Sequence, residues 1–179
     1  MRFTYAYDAG DGLLRKARMV YDKVMSDDFS DSDYTADPAW TATGGAWNAS
    51  SGVMVATSTS GYRDFKRNQT AADGTLAFSY KRDDSISTSH FRVSLRYDGA
   101  NRLNLNLKPG TANIADWDGS TATTLDYNDD ADTDTGTWYD VKVVLDGSRA
   151  EVWRKPASGT WSRILASDAV PLLTTAQLL

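Results

Sequence analysis

A chain of 179 residues is long enough to bury one core without disulfides or a structural metal, as one domain or one domain with a short appendage. It has no cysteine, which excludes disulfides, thiolate metal sites and a thiol nucleophile. Its net charge of −5 and the lack of a basic run argue against nucleic acid and anionic membranes as partners.

The acid is nearly all aspartate. Glu151 is the only glutamate and His90 the only histidine. Aspartate, asparagine, glycine, serine and threonine favour turns over helices, so the composition points to an all-β protein.

The N-terminal stretch "RFTYAYDAGDG" lacks the apolar segment of a signal peptide. No run approaches about 18 apolar residues, so no insertion into a membrane is expected. Residues 1–25 are richer in basic groups and Tyr-Asp pairs, which sets a soft boundary near Met25–Asp27. Within them "GLLRKARMVYDKVM" fits either a strand or a short helix. "PAWTATGGAWNASSGVMVAT" then gives three short strands separated by "GG" and "SSG". "TLAFSY" alternates, with Leu76, Phe78 and Tyr80 on one face.

The sharpest pattern is "HFRVSLRYDGANRLNLNLKPG". Phe91, Val93, Leu95 and Tyr97 point one way; Arg92, Ser94 and Arg96 point the other. "DGAN" makes the turn, and the return strand sets Leu103, Leu105 and Leu107 against Asn104, Asn106 and Lys108. This is a hairpin with an apolar and a polar face. "TWYDVKVVLDGSRAEVWRKPASGTWSRILAS" reads as three further strands. Many short antiparallel strands with such turns make a sandwich or a barrel.

Between these hairpins, Asp126, Asp129, Asp130, Asp132 and Asp134 crowd one segment. Oxygen-rich clusters suit calcium, and Asp130 and Asp132 are its candidate ligands there. An EF-hand loop fails, because the glycine and glutamate it needs are replaced by Thr133 and Tyr139, or by Thr135 and Val141 in the alternative frame. A soluble connecting loop is the other reading.

Enzymatic chemistry finds little support. Asp116 and Asp118 in "ADWDG" are the available carboxylate pair for glycoside hydrolysis, which needs two carboxyls about 5–9.5 Å apart. No Gly-Xaa-Ser-Xaa-Gly elbow occurs, and His90 is the lone histidine base. A small calcium-dependent hydrolase of an ester, lactone or polysaccharide stays open as an alternative. The polar face of the central hairpin is the candidate ligand site: His90, Arg92, Arg96, Asn104 and Asn106, with Ser94 between them, suit a sugar or a carboxylated polysaccharide. An ordinary wet sheet face is the competing reading. Trp40, Trp47 and Trp138 are expected to pack in core or turns. Trp117, Trp153 and Trp161 are freer to be exposed, and Trp117 joins the candidate site as a sugar platform.

Two stretches carry a family resemblance. Asp27-Asp28-Phe29, Trp40, Gly45-Ala46-Trp47 and Gly52, then Arg96 to Thr111, then Gly136 to Gly147, resemble the concanavalin A-like (laminin-G-like) jelly rolls of bacterial extracellular proteins. "YDAGDGLL" resembles one YD-repeat hairpin of Rhs-type secreted proteins, with Leu13 where arginine is usual. The first resemblance implies an antiparallel β-sandwich of jelly-roll type over residues 26–179, after a hairpin appendage in 1–25. It also implies a structural calcium with Asp28 and Gly45 among its ligands. The family's usual last strand is missing, so residues 3–8 or 15–21 are expected to fill a sheet edge, or two chains to pair there as a homodimer. The implied function is a glycan-binding or adhesive module of a secreted or surface protein. A structural insert of an Rhs-like shell is a further alternative.

Overall fold

The structure is a computed structural model that describes residues 2–7, 14–20, 28–36, 39–43, 47–56, 64–66, 73–81, 91–131, 134 and 136–171. Every regular element among them is a strand. In chain order they are β1 (Arg2–Tyr7), β2 (Leu14–Val20), β3 (Thr41–Thr43), β4 (Trp47–Ser50), β5 (Val53–Ala56), β6 (Asp64–Lys66) and β7 (Gly74–Lys81). There follow β8 (Phe91–Leu95), β9 (Arg102–Lys108), β10 (Thr111–Trp117), β11 (Ala122–Asn128), β12 (Trp138–Asp146), β13 (Arg149–Pro156) and β14 (Ser162–Ser167). The chain divides into two compact units, Met1–Asp64 and Phe65–Leu179.

In the first unit, β1 and β2 pair antiparallel from Arg2↔Val20 to Tyr7↔Leu14, so Leu14–Val20 is strand rather than helix. β4 and β5 form a tight hairpin. Ser51 and Gly52 both have positive φ at its turn, which suits the right-handed twist of paired strands.

The second unit is an antiparallel β-sandwich of jelly-roll type. One sheet has the order β11-β10-β9-β8, the other β14-β13-β12-β7. Alternation explains the layers. Val93 and Leu95 on β8, Leu103, Leu105 and Leu107 on β9, and Ala112 and Ile114 on β10 face inward from the first sheet. Tyr80, Tyr139, Val141, Val143, Ala150, Val152 and Leu165 answer from the second, with Leu76 and Phe78 packed against them. Each fully buried Val or Leu adds roughly 1.5–3 kcal/mol of transfer free energy.

Polar side chains close this sandwich at two places. On β11, Asp126 Oδ2 accepts from the Ala166 N–H at 2.7 Å, and Asn128 Nδ2 donates to the Ile164 carbonyl at 2.9 Å. Both partners lie on β14, an edge strand among the described residues, so side chains of one sheet satisfy backbone groups of the other. The second place is Arg96. It was expected beside Arg92 on the polar face. Instead it takes positive φ (49°) just past β8, which breaks the alternation and turns its side chain inward. Its side chain is 1% exposed. It donates to Asp73 Oδ1 at 2.6 Å, the Gly147 carbonyl at 2.6 Å and the Pro171 carbonyl at 3.0 Å. Asp73 also accepts from the Gly147 N–H at 3.2 Å, so carboxylate, guanidinium and the β12–β13 turn form one closed set.

Two substitutions test this account by chemical denaturation. Leu105→Ala leaves a cavity between the sheets and is expected to cost about 2–5 kcal/mol. Arg96→Met removes three charge-assisted donors and leaves two carbonyls unanswered, for an expected loss of about 2–5 kcal/mol. Asp73→Asn, at a half-exposed position, is expected to cost clearly less.

Candidate functional site

The outward residues of β8, β9 and β10 line up by register. Arg92, Asn106 and Asn113 form one row; Ser94, Asn104 and Ala115 form the next; Arg102 faces Trp117 in a third. The sequence placed Arg92, Asn104, Asn106 and Trp117 in one site, and the structure sets all of them on this face. Arg96 leaves it for the inner clasp. His90 lies outside the described residues.

This face is not a wet sheet surface at its centre. Ser94, Asn104, Asn106 and Ala115 are each less than 9% exposed, while Arg92 is exposed and Asn113, Arg102 and Trp117 are half-buried. The arrangement is a buried polar centre with a charged and aromatic rim. Arg92 Nε donates to Asn106 Oδ1 at 2.7 Å, and Ser94 Oγ donates to Asn104 Oδ1 at 2.9 Å. Both amide oxygens are thereby fixed, which aims both amide NH2 groups away from these partners. Neither Nδ2 donates to a described residue, so two oriented donors are left for a ligand or water. The Arg102 guanidinium lies 5.2 Å from the centre of the Trp117 ring, and its buried Nε has no hydrogen-bond partner. Asn113 and Arg102 were not singled out from the sequence. Period-two alternation through "TANIADW" carried Asn113; Arg102 needed the cross-strand register.

The chain resembles a carbohydrate-binding module. The solved structure in question is carbohydrate binding module CBM66 from Bacillus subtilis, superposed with a TM-score of 0.65 over 78% of this chain and 84% of that one. Sequence identity is 13%, so the likeness is one of fold. No family model and no curated protein matches the chain.

The acidic segment separates into parts with different work. Asp126 and Asn128 belong to β11 and tether β14. Ala131 is inserted in the core, while Asp129, Asp130 and Asp134 are exposed. The Asp134 N–H donates to the Tyr139 hydroxyl at 3.1 Å, which holds the far end of the loop. Of the expected calcium ligands, Gly45 and Asp132 lie outside the described residues. Asp28 Oδ1 accepts from the Ser30 N–H at 3.0 Å in a local turn. Among the described residues no three acidic or histidine side chains gather as a metal-binding group.

The carboxylate pair considered for hydrolysis is split by environment. Asp118 Oδ1 accepts from Thr121 N, Ser120 N and Ser120 Oγ at 2.7–2.9 Å, bonds that lower its pKa in that order and commit it to the β10–β11 turn. Asp116 is raised, first by burial and then by the Asp118 charge. Trp138, expected to pack in core or turns, is exposed, because Tyr139 takes the inward position at the start of β12.

A carboxyl whose folded pKa is raised stabilises the fold below its unfolded value and loses that contribution as pH rises. Asp116→Asn is therefore expected to raise the melting temperature at pH 7. The gain should vanish below about pH 3, where the carboxyl is protonated in both states.

Proposed function

We propose that this protein is a non-catalytic carbohydrate-binding module whose ligand lies on the outer face of β8, β9 and β10. The observation that carries the reading is the buried row of Asn104 and Asn106, with amides oriented by Ser94 and Arg92 and with Trp117 at the rim. A pyranose or furanose presents an apolar C–H face and a girdle of hydroxyls. An indole suits the first, and fixed amide and guanidinium donors suit the second. The resemblance in fold to a carbohydrate-binding module supports the same reading. Work on polysaccharide would place the protein outside the cell.

The expected affinity is modest. Hydrogen bonds to neutral hydroxyls contribute about 0.5–1.5 kcal/mol each, and a surface site has few of them, so a Kd between about 10 µM and 1 mM is expected. The experiment is a glycan array followed by calorimetry on the retained sugars. Trp117→Ala and Asn106→Ala are each expected to weaken binding at least about tenfold, or 1.4 kcal/mol, with the fold intact by circular dichroism. A glycan held equally well by both variants would remove the site from this face.

A further inference from the structure

The opposite sheet carries a second cluster. On the outer face of β12 and β13, Lys142 stands directly beside Trp153, with the small Ala77 on its other side. The Lys142 ammonium is 5.3 Å from the centre of the Trp153 ring and 5.5 Å from that of Trp161. Lys155 lies 5.5 Å from the same Trp161 ring. Trp161 is 43% exposed, which leaves much of an apolar ring in water on this face.

Charge pairing around the cluster is uneven. Lys155 is matched by Asp140 at 3.0 Å, and Asp140 is fixed by Ser79 Oγ at 2.6 Å. Arg163 at 3.1 Å and Arg149 share Glu151, which also accepts from the Trp153 indole N–H at 3.2 Å. Lys142 has no carboxylate among the described residues. In a chain of net charge −5 this is a cation left unmatched while its neighbours are paired, and it is held between two rings.

We infer that Lys142, Trp153 and Trp161 form a second binding site, for a carboxylated sugar. Its carboxylate meets the Lys142 ammonium while its C–H face lies on Trp161. An exposed lysine–carboxylate pair alone is weak, because water competes and a flexible lysine must be ordered. Here the indoles already order the ammonium and displace water from its flanks. The site therefore needs both charge and ring in one ligand, and selects a uronate unit over a neutral sugar or a bare anion. It stands on different residues from the proposed carbohydrate face, so either can fail without the other.

The test is tryptophan fluorescence titration of the full chain with oligogalacturonate and a hyaluronan hexamer, at about 20 and 300 mM salt, where screening differs strongly. The fully methyl-esterified galacturonate is the uncharged control and dextran sulfate the ring-independent anion. Saturable binding of at least one uronate is expected, weakened several-fold by salt and at least tenfold by esterification. Lys142→Gln and Trp161→Ala should each lose at least tenfold, Lys142→Arg should retain most of it, and Lys108→Gln, a cation removed on the other sheet, should change nothing. Melting curves establish that the variants fold. The inference is overturned if neither uronate binds, if the ester binds as well as the acid, or if Lys142→Gln or a folded Trp161→Ala binds like the parent. Dextran sulfate bound equally by Trp161→Ala and the parent, with uronates no tighter, would reduce the cluster to unspecific ion exchange.

Discussion

Leucine and asparagine alternate along β9, and that alternation fixes both what is inside the sandwich and what is offered outside it. Leu103, Leu105 and Leu107 are at most 2% exposed between the sheets, while Asn104 and Asn106 form the floor of the opposite face. Strand periodicity is two, so a slip of one residue would exchange the sets. Amides would enter a layer with few partners for them, at a cost of several kcal/mol each in transfer terms, and leucines would enter the water. The register needed by the core is therefore the register that places Arg92, Asn106 and Asn113 in one row. Binding geometry is inherited from packing.

The sheets are joined by more than apolar contact. Asp126 and Asn128 reach from β11 to backbone groups of β14, and Arg96 gathers Asp73, Gly147 and Pro171. Apart from the Arg96–Asp73 ion pair, these are side chains answering peptide groups, two on the edge strand β14 and two outside the strands. Directional bonds of this kind set the alignment of two layers that hydrophobic burial alone would leave free to slide. They also occupy polar residues that look functional in the sequence: a guanidinium on the polar hairpin and an aspartate from the acidic segment are both structural.

This explains what could be read from the sequence. The all-β class, the hairpin over 91–108 and the strands from Trp138 onward followed from alternation and turn residues, which are local. The inward-facing leucines and valines came with them. Arg96 did not, because a single positive φ at a strand end reverses the side that parity predicts, and the pull toward Asp73 and Gly147 comes from distant parts of the chain. Trp138 was expected to pack in core or turns, yet Tyr139 next to it sits at the inward position and Trp138 is exposed. Arg102 joined the site only through its register with Trp117, a pairing between neighbouring strands that composition does not encode. The acidic segment looked like one feature because its residues are alike; a strand end, a buried alanine and the exposed Asp129, Asp130 and Asp134 divide it.

The two outer faces have different chemistry on one scaffold. The β8–β9–β10 face offers neutral amides beneath an arginine and a tryptophan, and the β12–β13 face offers a lysine between indoles. The central claim concerns the first, and side-chain NMR of the labelled protein during titration with neutral oligosaccharides tests it most directly. The account predicts that the amide NH2 signals of Asn104, Asn106 and Asn113 and the indole N–H of Trp117 shift together and saturate with one Kd, while the backbone of the core strand β12 stays still. Saturation at another surface with these side chains at rest, or a broad panel that moves none of them, would contradict it.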